Sequence, residues 1–138
     1  MLPFSISFQP DFALYEQVVY AAKKAIVSGR ILPGQAFPSV RTLSVELKIN
    51  PNTAHKVVTH LIEQGLLEAR PGAGTFVAEH PGPPAGEKSR LINQEAEKLV
   101  VEAMHMGLSL AEVTTSVIAH WQRLEKRHFT KGVEKNEQ

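Results

Sequence analysis

Apolar residues recur at three- and four-residue steps in five stretches of this chain, and a glycine-tipped pair of short apolar runs follows the third stretch. That spacing is the mark of helices with one buried face. The first helix is expected over residues 12–28, with Asp11 as its N-cap and Leu14, Tyr15, Val18, Val19, Ala22, Ala25 and Ile26 on one face. Gly29 suits a terminating position of positive φ, and Ile31-Leu32-Pro33-Gly34 reads as a turn. Ser39, after Pro38, is a good N-cap for a second helix whose apolar contacts are Leu43, Val45 and Leu47. The third helix has the sharpest start. Asn50 can cap through its side-chain oxygen, and Pro51 fits the first helical position, where its missing N–H costs nothing. Ala54, Val57, Val58, Leu61 and Ile62 then share a face. Asn52, Lys56, Thr59 and Glu63 lie opposite, with Thr53, His55 and His60 along the edges. Gly65 ends this helix, and residues 66–70 and 75–77 are expected to pair around Pro71-Gly72-Ala73-Gly74.

His80-Pro-Gly-Pro-Pro-Ala-Gly86 interrupts any regular structure and divides the chain. The expected organisation is a compact unit over 1–79, a linker over 80–86, a helical region over 87–128, and a polar, disordered tail over 129–138. Within the helical region, Ile92, Ala96, Leu99, Val100, Ala103 and Met106 share a face of one helix, which Gly107 breaks. Ser109 and Glu112 have the spacing of a capping box, which starts a second helix striped by Leu110, Val113, Val117, Ile118, Trp121 and Leu124. Two such helices cannot bury both stripes against each other. A symmetric homodimer would, with Leu99, Ala103, Val113, Val117, Trp121 and Leu124 at its interface. The alternative is that both helices pack on the first unit of their own chain.

Composition narrows the function classes. With 138 residues and 43% hydrophobic content the chain can build a core. It has no cysteine, so disulfides, thiolate metal sites and cysteine nucleophiles are excluded, and a reducing cytoplasm is compatible. No apolar run approaches the roughly 18–20 residues that span a bilayer, and the first residues lack the basic start and apolar stretch of a signal peptide. No membrane partner is expected. The six histidines are scattered, and Ser, His and Asp form no recognisable nucleophile and base, so no catalytic residue, metal ligand or cofactor is assigned. His105 and His120 lack the carboxylate spacing of a metal pair. Charge says little, because the formal net charge is only +1. Residues 1–78 carry seven Lys/Arg against five Asp/Glu, and residues 79–138 carry eight against nine.

The order of elements says more. Two short helices joined tightly and followed by a glycine-tipped hairpin are the sequence form of a winged helix-turn-helix, which lays its second helix in the DNA major groove. A recognition helix needs a polar, uncluttered start, which Asn52 and Thr53 supply, and asparagine pairs bidentately with adenine. Free N–H groups at that start favour a phosphate. Lys56 lies one turn on, within reach of a phosphate or a guanine edge, and Arg41 sits where the preceding helix would cross the backbone. Gly72 and Gly74 let the main chain of the wing approach a groove. Each residue also has a plainer reading: Asn50-Pro51 as a cap alone, Arg41 as a surface or salt-bridged cation, Lys56 as a solvated lysine, the glycines as a hairpin turn. Their order and spacing together favour DNA.

These residues carry a family resemblance. Leu14-Tyr15, Ile26, Ser28-Gly29, Pro33-Gly34, Pro38-Ser39-Val40-Arg41, Leu43, Leu47, Gly65-Leu66-Leu67 and Gly72-Ala73-Gly74-Thr75-Phe76-Val77 resemble the DNA-binding domain of the GntR family of bacterial regulators, over about residues 12–78. Asn50-Pro51-Asn52-Thr53 and the short tail resemble its YtrA-like subfamily. The resemblance implies a mainly α fold with a small β-hairpin, an N-terminal winged helix-turn-helix and a short C-terminal two-helix dimerisation region. It implies DNA contacts from Arg41, Asn52, Thr53, Gly72 and Gly74. Many relatives carry arginine at the places of Pro51 and His55, so the polar contacts shift here to Asn52, Thr53, His55 and Lys56. With the two caps and the wing threonine, the candidate DNA-binding set is Ser39, Arg41, Asn50, Asn52, Thr53, His55, Lys56, Gly72, Gly74 and Thr75. The expected partner is double-stranded operator DNA, an inverted repeat bound by a dimeric repressor, with a transporter operon as target by analogy. The expected location is the bacterial cytoplasm, on the nucleoid when bound. A small-molecule effector would have Met104, His105, Met106, His120 and Trp121 available as a lining, although core or dimer packing also accounts for the Met and Trp residues. The competing reading is a winged-helix module for protein contact without specific DNA binding.

Overall fold

The computed structural model describes residues 2–137, with side chains described through residue 125. Its elements run α1 (Leu14–Val27), α2 (Val40–Leu47), α3 (Pro51–Glu63), β1 (Leu67–Arg70), β2 (Gly74–Val77), α4 (Glu87–Arg90), a π-helical turn (Leu91–Glu95), α5 (Ala96–His105) and α6 (Leu110–Glu137). The chain divides into two compact units, Met1–Pro84 and Ala85–Gln138. The fold is mostly helical with one antiparallel hairpin, as the pattern of positions predicts.

In the first unit the helical stripes meet. Val18 of α1, Leu43 of α2, Val57 and Leu61 of α3, and Val77 of β2 are almost wholly buried. Each such side chain contributes about 1.5–3 kcal/mol relative to exposure. Ile31, expected in a turn, is also fully buried, because the α1–α2 connection folds back over the core. Phe4 joins as well, buried and stacked on Phe37 with ring centroids 6.1 Å apart. Three expected members do not. Leu14, the first residue of α1, is 40% exposed. Val45 is 67% exposed because, two residues from Leu43 and from Leu47, it falls on the opposite side of α2, and Ile62 is 36% exposed at the rim of the α3 stripe.

Asp11 does not cap α1. The N-cap position is Ala13, which makes no side-chain cap. Instead Gln17, in the first turn, accepts the Gln9 N–H (2.8 Å) and donates to the carbonyls of Gln9 and Phe12 (both 2.9 Å), so the preceding strand of chain is tied to the helix by a side chain within it. The expected caps of α2 and α3 are present: Ser39 Oγ accepts the Thr42 N–H at 3.1 Å, and Asn50 Oδ1 accepts the Asn52 N–H at 2.7 Å. Between these helices Lys48 adopts left-handed φ and ψ of 56° and 47°. Ile49 is buried there, its N–H donating to the Ser44 carbonyl (3.1 Å) while its own carbonyl accepts from Ser44 Oγ (2.7 Å). Ser44 therefore closes the turn of the helix-turn-helix from both sides.

The hairpin pairs Leu67 with Val77, Glu68 with Phe76, Ala69 with Thr75 and Arg70 with Gly74. The segment before α2 extends it. Gly34 donates to the Val77 carbonyl (2.8 Å), Val77 donates to Gln35 (2.9 Å) and Phe37 donates to Thr75 (2.8 Å). At the end of α3, Gly65 has φ of 77°, and a Cβ there would run into the carbonyl oxygen of Gly82.

In the second unit the helix expected over 87–107 is not uniform. It starts after Gly86 without a side-chain cap, passes through the π-helical turn and ends before Gly107, whose φ is 74°. The capping box is formed in full: Glu112 donates its N–H to Ser109 Oγ (3.1 Å) and Ser109 donates its N–H to Glu112 Oε2 (2.7 Å). Little of the apolar stripe on either helix is covered. Leu99, Val117 and Trp121 are exposed, Val113 and Leu124 half-buried, and Ala103 is buried. The polar tail expected over 129–138 lies outside the residues whose side chains are described.

Candidate nucleic-acid interface

The helix-turn-helix presents its chemistry because α3 buries one face and leaves the other in water. Ala54, Val57, Val58 and Leu61 pack inward. Asn52, His55, Lys56, Thr59 and Glu63 are therefore exposed, with Thr53 and His60 half-buried at the edge. An open groove of about 560 Å³ runs along this face, lined by Tyr15, Thr53, His55, Lys56, Thr59, His60 and Glu63. The groove thus brings together three of the expected residues, Thr53, His55 and Lys56. It adds Tyr15, whose ring meets His60 edge-on at 5.9 Å. Tyr15 falls on the apolar stripe of α1, so periodicity assigns it to the core; only the fold shows that its ring reaches the edge of α3.

The other expected residues divide by what their atoms already do. Asn50 spends its side-chain oxygen on the cap of α3, and the Ser39 hydroxyl is engaged with Thr42, accepting its N–H and donating to its Oγ1 at 2.9 Å. These two are positioners: they set where α2 and α3 begin. Pro51 at the first helical position keeps that start rigid and leaves Asn52 exposed one residue on. Arg41, in the first turn of α2, is exposed and makes no ion pair with a described residue. It is available to an outside anion, whereas a salt-bridged arginine would first have to be released.

At the wing, Gly72 and Gly74 have φ of 77° and 116°, and a Cβ on either would meet nothing within 4 Å. They serve the backbone path of the loop rather than close packing within the chain. Thr75 gives its carbonyl to Phe37, and its side chain is half-buried. The wing also holds a cation that residue patterning passed over. Arg70 ends β1, one residue before the loop, with its guanidinium 4.3 Å from the centroid of Phe76. Its Nη2 is 2.8 Å from Glu68 and 4.0 Å from Glu79. An exposed pair of this kind contributes about 0–1 kcal/mol to stability. In the sequence Arg70 looks like any strand-end arginine; its stacking depends on the register that sets Glu68 opposite Phe76.

Among the described residues no group of three or more His, Asp or Glu is placed to hold a metal ion, and no helix is long and apolar enough to cross a membrane. Met104, His105, Met106, His120 and Trp121, the suggested effector lining, are all exposed.

Comparison with known proteins agrees with this geometry. The family described as bacterial regulatory proteins, gntR family, matches residues 14–77, which run from α1 through the wing. The HTH-type transcriptional repressor YtrA of Bacillus subtilis (strain 168) is 31% identical over 101 residues, covering 72% of this chain and 78% of that protein. The HTH-type transcriptional regulator YhcF of the same organism, itself uncharacterized, is 30% identical over 110 residues, covering 80% and 91%. Among solved structures, a transcriptional antiterminator from Listeria monocytogenes EGD-e superposes with a TM-score of 0.77 at 23% identity, over 88% of this chain and 92% of that one, which is a likeness of fold.

Proposed function

Since this chain belongs to the GntR family of bacterial regulatory proteins, whose members are DNA-binding regulators of transcription and not enzymes, we propose that it acts as a dimeric repressor on an inverted-repeat operator. The observation that carries this reading is the face of α3: a capped, proline-fixed start from which Asn52, Thr53, His55 and Lys56 face outward, with Arg41 uncommitted on α2. Asn52 and Lys56 read base edges or phosphates, Arg41 holds the backbone, and the Gly72–Gly74 loop carries the wing against the neighbouring groove. Repression follows the relative YtrA, which is named a repressor, and a transporter operon is the proposed target. The protein works in the bacterial cytoplasm, on the nucleoid.

Dimerisation is proposed from the second unit. Leu99, Val117 and Trp121 expose 50%, 46% and 69% of their surface, and exposed apolar side chains of this kind mark a surface that a partner covers. A second copy covers them, with Val113 and Leu124 at the margin; Ala103, already buried in its own chain, gives little surface to a partner. Two winged units held by one dimer read two half-sites related by a two-fold axis.

Selection of bound sequences from random duplex DNA tests the whole reading. Recovery of a palindrome whose half-sites are spaced by whole helical turns is the expected result. Recovery of unrelated sequences, with no retention even at low salt, would favour a module for protein contact, the reading to which the net charge of only +1 lends its support.

A further inference from the structure

Wings that touch DNA do so with main chain, with a cation, or with both. Across residues 61–87 Arg70 is the only Lys or Arg, while Glu63, Glu68, Glu79 and Glu87 fall in the same span. Within the hairpin, residues 67–77, Arg70 faces a single carboxylate, Glu68, so any cation the wing offers must be Arg70. We propose that Arg70 is the phosphate contact of the wing, aimed by Phe76 and held partly neutralised by Glu68 until a DNA phosphate takes that carboxylate's place.

Three features support this. The Phe76 ring, paired opposite Glu68 in the hairpin, lies under the guanidinium at 4.3 Å and limits the orientations of a side chain that is otherwise free to swing. Both acidic contacts fall on Nη2, at 2.8 Å from Glu68 and 4.0 Å from Glu79. The hydrogens of Nη1 and Nε lie outside those contacts, and a guanidinium carries five donors in a planar fork that suits a phosphate. Finally, the pair is open to solvent, with 43% of each side chain exposed, so the Glu68 contact is weak enough for an incoming phosphate to displace. Arg41 differs: it has no such competitor among the described residues. Of these two arginines, Arg41 is ready and Arg70 is restrained.

The proposal rests on the reading that this chain binds duplex DNA, and the test separates the two. Fluorescence anisotropy with a labelled duplex of mixed sequence, over a salt series, is measured for the wild-type chain, Arg70→Gln, Glu68→Gln and the double variant. Because each phosphate neutralised contributes about 0.9 to the slope of log K against log salt, Arg70→Gln is expected to lower that slope by about 0.9. Glu68→Gln is expected to strengthen low-salt binding, and that gain should vanish in the Arg70→Gln background. An unchanged slope in Arg70→Gln overturns the proposal. So does an equal gain from Glu68→Gln in both backgrounds, which would mean that Glu68 acts through its field on the DNA alone. Should Arg70→Gln fail to fold by circular dichroism, Arg70→Lys, which keeps the charge, must retain the wild-type slope, and Glu68→Gln alone must still strengthen binding; failure of either overturns it. A wild-type chain that binds no duplex at any salt removes the DNA-binding reading itself, a failure visible without any variant.

Discussion

Single residues in this chain divide into those that aim and those that touch. Asn50 and Ser39 aim, since their oxygens are taken by the N–H groups of Asn52 and Thr42. Arg41 is the proposed contact, being exposed and without an ion pair to a described residue. Arg41→Ala should therefore weaken DNA binding by about 1–3 kcal/mol, roughly 5- to 150-fold, and leave the thermal midpoint almost unchanged. Anisotropy titration and a melting curve on the same sample check both halves. Asn50→Ala should show the reverse emphasis, costing about 0.5–2 kcal/mol of stability by stripping the α3 cap, which a denaturant titration reads. The two candidates share a place in the expected DNA-binding set, and only the hydrogen bonds tell them apart.

At the scale of elements, the helices with strong stripes and strong punctuation were legible in the sequence. Asn50-Pro51 marks the start of α3, and Ser109 with Glu112 marks the start of α6, because a cap is a local event between residues two or three apart. What depended on distant partners was not legible. Phe4 precedes any periodic stretch, and its burial is settled by Phe37, which the chain returns only after α1. Tyr15 packs against the core as its stripe implies, but the meeting of its ring with His60 of α3 could not be read from the sequence. Asp11 had the right chemistry for a cap, but Gln17 held the local main chain instead. In the wing, the glycines announced the turn while Arg70 stayed hidden, since its contacts follow from pairing register. Gly65 gives this scale its prediction. Its positive φ and the nearby carbonyl of Gly82 leave no room for a methyl group, so Gly65→Ala should destabilise the winged unit by more than about 1 kcal/mol, read as a drop in the thermal midpoint.

For the whole molecule, the proposed dimer turns one modest interface into two. A net charge of +1 gives a single chain little general attraction for DNA, so occupancy depends on two winged units binding together. Trp121→Asp places a charge on an exposed aromatic of α6 and should yield monomers in sedimentation, with unchanged α-helical content in the first unit. Its binding to a full palindrome should fall to that of an isolated half-site; a variant that remains dimeric would locate the interface elsewhere. One feature of the winged unit bears on how tightly each half-site is held. The segment from Gly34 to Phe37 is hydrogen-bonded along β2 and leads directly into Ser39 and α2. That strip clamps the hairpin to the helix bearing Arg41, so the wing is not a loose flap that must be ordered on arrival. The separation between the two proposed backbone contacts is preset in the unbound protein, so complex formation would lose correspondingly little conformational entropy. On the proposed contacts, DNA whose groove width departs from that preset span would itself have to deform to fit, so the clamp would select for duplex shape without touching a base.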